Sequence, residues 1–227
     1  MGDERKKSQP TPMEWFINQM NRRSQERSTS VRFKVQKAVN DIPAMLFYAY
    51  QQEVESRGRR FVDDDATREH VMKAAKWMVS ADTRFGLLLY GTTGNGKTTL
   101  TKAMQNVINI LYDSPYRDES VGVTSVSALK LADMAKDDNQ QFRRIRNADL
   151  LHIDDVGCEP ASIRVWGNEI SPLVDILYHR YDEQLYTVIT SNLSLEDIFE
   201  RYGYRIGDRF YEMFDTIAFE GKSYRRG

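Results

Sequence analysis

Near the middle of the chain a short apolar run, Phe85-Gly86-Leu87-Leu88-Leu89-Tyr90, leads into Gly91-Thr92-Thr93-Gly94-Asn95-Gly96-Lys97-Thr98. A helical pattern then continues from Thr98 to Leu111. The octapeptide fits Gly-x-x-x-x-Gly-Lys-[Ser/Thr], and a strand before it with a helix after it is the context such a loop requires. Glycines let successive backbone N–H groups turn inward around phosphate oxygens, where a Cβ would clash. The following helix offers its unpaired N–H groups and the positive end of its dipole to the same anion. Lys97 is expected to reach the β- and γ-phosphates, the Thr98 hydroxyl to ligate Mg²⁺, and Thr99 to complete the cradle. The alternative, a surface glycine turn, is outweighed by that context. The segment commits the chain to binding ATP with Mg²⁺.

From this point strands and helices alternate. Val121 to Val126 reads as a second strand, followed by a helix through Leu129, Leu131 and Met134. Residues 139–147 form a basic helical stretch, and Leu150-Leu151-His152-Ile153 is a third strand. Ile170, Leu173, Val174, Leu177 and Tyr181 mark one face of a long helix, and Thr187-Val188-Ile189-Thr190 is a fourth strand. Ser194 caps a helix to Tyr202, with Asp197 completing a capping pair. A short helix from about Ile206 to Met213 precedes a last strand, Thr216 to Phe219. Short apolar strands separated by helices predict an α/β fold, a parallel sheet with helices on both faces.

The amino-terminal part differs. Residues 1–60 hold twelve Lys/Arg and seven Asp/Glu, whereas the whole chain of 227 residues has a net charge of −1. The rest is therefore acidic, and a basic arm on an acidic body suits a phosphate backbone or an acidic partner as well as a solvated leader. Residues 1–12 read as a polar leader. Met13, Trp15, Phe16, Ile17 and Met20 form an apolar cluster before an Arg-rich tail. Val31, Val35, Ala38, Val39 and Ile42 are spaced as in a helix, broken at Asp41 ahead of Pro43. A second helix follows through Met45, Leu46, Ala49, Tyr50 and Val54, and Gly58 ends it. Asp63-Asp64-Asp65 offers an N-cap to a further helix carrying Val71, Met72, Ala75 and Met78. The expected division is a basic, mostly helical module over 1–62 and an α/β domain over 63–227. The leader lacks the apolar centre of a signal peptide, no apolar run approaches a membrane span, and the single cysteine, Cys158, allows no internal disulfide. These features point to the cytoplasm and away from a membrane.

Three further groups carry chemistry. Asp154-Asp155 ends the third strand, where two carboxylates are costly unless a cation sits among them. Asp154 is expected to hold Mg²⁺ through water and Asp155 to polarise an attacking water. Thr190-Ser191-Asn192 closes the fourth strand, and the Asn192 amide can hold that water, although asparagine is also a common turn residue. Arg205 and Arg209 are four apart and so share a helix face. Arginine stabilises transferred phosphoryl charge in trans, while an arginine paired with Asp208 or Glu212 would serve only the surface. Cys158, His70, His152 and His179 read as structural.

The order of these motifs, ending in Gly221-Lys222-Ser223-Tyr224-Arg225, resembles the DnaC/IstB-type AAA+ ATPases over residues 64–227. The resemblance implies that Lys97 and Thr98 are Walker A residues, Asp154 and Asp155 the Walker B pair, and Asn192 sensor 1. It makes Arg209 the arginine finger given to a neighbouring copy, with Arg205 its companion or alternative. Asp155 stands where many AAA+ proteins have glutamate. The chain stops soon after its last strand, so no carboxyl-terminal helical lid is expected, with Arg225 a partial substitute. The resemblance implies a homo-oligomer acting on single-stranded DNA, with Arg143, Arg144 and Arg146 as contacts. It gives residues 13–60 a partner, either a replicative helicase or a transposase. A helicase loader is the preferred reading, a transposition helper of the IstB type the alternative. A small-molecule kinase would explain the loop but not the motifs that follow it.

Overall fold

The computed structural model describes residues 11–27, 32–113, 121–165 and 167–220. Five strands form one parallel sheet: β1 (Gly86–Gly91), β2 (Val123–Ser127), β3 (Leu150–Val156), β6 (Thr187–Ser191) and β7 (Phe214–Phe219). Their order is β2-β3-β6-β1-β7, and every neighbouring pair is parallel. Parallel neighbours need a crossover, so all carboxyl ends lie along one edge and helices cover both faces. That is the α/β architecture expected.

Alternate residues of each strand feed the two faces. On one face Leu87, Leu89, Val188 and Ile217 pack beneath α2 (Ile42–Glu55), α3 (Asp65–Val79) and α4 (Lys97–Leu111). On the other, Leu88, Leu151, Ile153 and Ile189 pack against α5 (Ala128–Asp137), α6 (Asn139–Arg146) and α7 (Pro172–Asp182). The helices α8 (Leu195–Tyr202) and α9 (Tyr204–Met213) complete that second layer. Local signals set several helix starts. The Asp64 side chain accepts from the Thr67 N–H, and Ser194 with Asp197 makes a reciprocal capping box.

Two local expectations change. Residues 33–38 are not helical, and only a single 3₁₀ turn, Val39–Asp41, precedes α2. Phe33 and Val35 stand two apart and both enter the core, the period of extended chain. The Val35 N–H donates to the Met78 carbonyl, and Ala38 has φ 51°, which breaks a right-handed helix. The second change is an antiparallel hairpin, β4 (Ile163–Val165) and β5 (Asn168–Ile170), that takes Ile170 out of the long helix.

Residues 33–55 share their core with the sheet. Ile42, Leu46 and Tyr50 of α2 lie with Val71, Trp77 and Met104 in one apolar cluster. By contrast α1 (Pro12–Arg27) leaves its apolar residues outside, with Met13 66%, Trp15 57% and Phe16 53% exposed. No helix among the described residues is long and apolar enough to cross a membrane.

His152 of β3 is buried, its Nε2 3.3 Å from the Tyr186 hydroxyl. Burial holds its imidazole down at about 3, against an ordinary 6.5. As pH falls through 6.5 the unfolded chain takes up a proton that the folded chain refuses. His152 should therefore cost about 1.4 kcal/mol of stability per pH unit between the two values. Urea midpoints at pH 7 and pH 5 should drop less in His152→Asn than in the parent. An equal drop in both would contradict this.

Candidate active site

The carboxyl edge of the sheet gathers the loop and both acidic residues. β1 ends in Gly91, paired in register with Phe219 of β7. A Cβ on Gly91 would lie 2.4 Å from the Phe219 carbonyl oxygen, and the backbone there has φ 121°. That carbonyl anchors the loop, accepting from the Thr92 N–H at 3.2 Å and from Asn95 Nδ2 at 3.3 Å. Asn95 Nδ2 also donates to Thr92 Oγ1 at 2.5 Å. Thr92 and Thr93 are exposed at the loop's rim, and Gly94, with φ 90°, turns the chain back. Gly96, with φ 95°, begins α4 against the Tyr50 hydroxyl, which would meet a Cβ at 2.2 Å. Only glycine satisfies both the conformation and that contact. Lys97 is buried, and its Nζ donates to the Gly91 carbonyl at 2.9 Å and the Thr92 carbonyl at 2.7 Å.

Across from the loop, Asp154 Oδ1 accepts from Thr98 Oγ1 at 3.0 Å and from Thr190 Oγ1 at 2.5 Å. Thr190 Oγ1 in turn accepts from the Asp155 N–H at 2.9 Å. One hydroxyl thus orients both members of the pair, using its single donor and one lone pair. Register explains why: Ile153 sits opposite Ile189, so the next residues, Asp154 and Thr190, meet. The pairing then shifts between Ile153 and Val156, and Asp155 takes φ 56°. Aspartate tolerates this left-handed conformation better than most residues. The bulge turns Asp155 outward, where Asn192 Nδ2 donates to its Oδ1 at 3.4 Å. The hydroxyl of Thr98 and the carboxylate of Asp154 are hard oxygen donors. They suit Mg²⁺, which is commonly held by one or two carboxylates together with phosphates and waters.

Lys97, Thr98, Asp154, Asp155 and Asn192 therefore share one edge. Arg209 does not join them. Its guanidinium stacks 4.1 Å from the Tyr178 ring and 5.0 Å from Tyr181, both on α7. Tyr181 packs against Phe85, which precedes β1, whereas the loop follows it. A strand of six residues spans about 20 Å, so Arg209 lies at the opposite end of the sheet from its own loop. The side chain of Arg205 and all of Arg225 fall outside the described residues. On α6, Arg143 and Arg144 are exposed, but Arg146 is half-buried and bonds Asp175 at 3.4 Å. Arg146 is thus a packing residue between α6 and α7, and the expected basic trio is an exposed pair.

The sequence reading missed Thr190 as a bridge, the Phe219 carbonyl as an anchor, and buried Glu159. Glu159 Oε2 accepts from the Gly157 N–H at 2.9 Å, and its Oε1 accepts from the Tyr202 hydroxyl. It ties the turn after Asp155 to α8. Only the threonine was visible, as part of Thr190-Ser191-Asn192 at the end of its strand.

No protein-family model matches the sequence, and no curated protein matches it. Solved structures do. A Streptococcus pyogenes serotype M3 protein assigned as a primosome component is 24% identical, over 73% of this chain and 85% of its own, with a TM-score of 0.54. The DnaC helicase loader is 19% identical, over 76% of this chain and 99% of its own, with a TM-score of 0.53. AMPPCP-bound DnaA from Aquifex aeolicus is 21% identical with a TM-score of 0.50, and this chain covers 50% of it. The chain shares the fold of the DnaC helicase loader and of DnaA, as the motif order implied.

Proposed function

From that fold as premise, we propose that the protein binds ATP with Mg²⁺ and hydrolyses it at a site completed by a neighbouring copy, acting as a replicative helicase loader on single-stranded DNA. One observation carries the ATPase reading: the Asp154 carboxylate is bonded at once to Thr98 of the phosphate loop and to Thr190 of β6. Lys97, Thr98 and Asp154 would hold the triphosphate and its metal, which withdraws charge from the phosphoryl oxygens. Asp155 would orient and deprotonate the attacking water, with Asn192 fixing its position. Arg209 of the neighbouring copy would stabilise the charge that develops on the transferred group. The seat of Arg209 against Tyr178 and Tyr181 of α7, away from its own loop, supports a trans role.

The likeness to solved helicase loaders favours a loader over a transposition helper. The exposed apolar residues of α1, within the 13–60 segment, are the natural docking element for the helicase. Met13, Phe16, Ile17 and Met20 follow the i, i+3, i+4, i+7 spacing of a helix that lies in a groove. The assay is ATPase rate per mole against protein concentration, with and without single-stranded DNA. Specific activity should rise in both series, and a constant value in both would contradict a shared site. Arg143 and Arg144, exposed on α6, would contact the DNA. Replacing both with alanine should weaken single-stranded DNA binding and reduce the slope of log K against log salt by about 1.4. An unchanged slope would remove α6 from that interface.

A further inference from the structure

The helix α2 brings a second cation to the phosphate loop. Tyr50, Glu53 and Arg57 follow one another at helical spacing, Tyr50 and Glu53 within α2 and Arg57 just beyond its end, and all three meet α4. Tyr50 presses on Gly96. Glu53 Oε1 accepts from Asn106 Nδ2 of α4 at 2.8 Å, which fixes the carboxylate. Glu53 Oε2 lies 3.6 Å from Arg57 Nη2, and Arg57 Nη1 reaches Thr99 Oγ1 at 3.4 Å. Those contacts engage two of the five N–H donors of a guanidinium, which leaves donors for an anion. Gly58, with φ 68°, ends the helix immediately afterwards, so Arg57 stands at its tip rather than along its side.

We propose that Arg57 is a nucleotide-binding residue that contacts the part of the phosphate chain shared by ATP and ADP. The inference rests on the phosphate-loop reading and extends it. Thr98 turns its hydroxyl to Asp154, on the side assigned to the metal and the terminal phosphate. The next residue on a helix points about 100° away, so Thr99, and Arg57 with it, face elsewhere. A planar fork held by a fixed carboxylate suits phosphate oxygens better than a flexible ammonium. Glu53 and Asn106 are positioning residues that aim the fork.

The test is isothermal titration calorimetry of ATP and of ADP on the full chain, in the parent, Arg57→Ala, Arg57→Lys and Arg60→Ala. Arg57→Ala should weaken both nucleotides by about tenfold, the size of one lost charge-assisted hydrogen bond. Arg57→Lys should recover only part of this. Arg60→Ala controls for bulk charge and should stay within about twofold. Parental affinity in Arg57→Ala, a loss no larger than that of Arg60→Ala, or a loss confined to ATP would each overturn the proposal. Melting temperature without nucleotide reports folding, and Arg57→Gln, which keeps a donor to Thr99, replaces the alanine variant should that unfold. A parent protein that binds neither nucleotide would instead reject the phosphate-loop reading itself.

Discussion

Arg209→Ala should keep ATP affinity within about twofold of the parent while its assembled turnover falls by about a thousandfold. The split follows from geometry. The guanidinium stacks on Tyr178 and Tyr181, and Tyr181 contacts Phe85 at the amino end of β1. Removing it strips nothing from the phosphate loop of the same chain. On the proposed trans role it removes a planar cation that would serve a neighbouring copy, so the cost should appear in the transition state and not in ground-state binding. Arg209→Lys should recover little, because an ammonium lacks the flat fork that stacks on tyrosine and grips phosphoryl oxygens in pairs. The loss of the ring contacts should lower stability by about 1 kcal/mol, which equilibrium unfolding would show. Steady-state rates at saturating ATP, with calorimetry of ATP binding, separate the two effects. A variant with parental turnover would show that Arg209 serves only the surface of α7.

Lys97→Ala should have the opposite signature, with ATP affinity falling by about a hundredfold and turnover with it. The ammonium is buried and donates to the Gly91 and Thr92 carbonyls, within the loop that would wrap the phosphates. Alanine leaves the neighbouring backbone donors in place but removes the charge that would face the terminal phosphates. The loop itself is braced from elsewhere by the Phe219 carbonyl, so the fold should survive. Fluorescent-nucleotide titration measures the loss, and undiminished binding would contradict the assignment of the cradle.

The features legible in the sequence were those carried by adjacent residues. The glycines, the lysine and the buried strand before them sit within a single stretch, and so does the Asp154-Asp155 end of β3. Capping at Asp64 and Ser194 is equally local. What escaped reading depends on partners far along the chain. Phe33 and Val35 alternate into the core, but Val31, Val35, Ala38, Val39 and Ile42 imitate a helical spacing, and only the bond from Val35 to Met78 decides between the two. Thr190 meets Asp154 through strand register, which neither segment states alone. Arg146 looked equivalent to Arg143 and Arg144 because Asp175, its partner, lies on another helix. The same is true of Arg57, whose contact with Thr99 spans 42 positions. The hairpin of β4 and β5 is largely exposed, and its three-residue strands are too short for the Ile163-Arg164-Val165 alternation to stand out.

A mixing experiment tests the central claim, one site built from two copies. Lys97→Ala lacks a working cradle but retains Arg209, and Arg209→Ala has the cradle but lacks the finger. Each should be nearly inactive alone. Mixed in equal amounts and assembled on single-stranded DNA, they should regain about a quarter of parental ATPase activity, since random neighbours pair an intact cradle with an intact finger about one time in four. A mixture no more active than the sum of its two components would contradict the shared site.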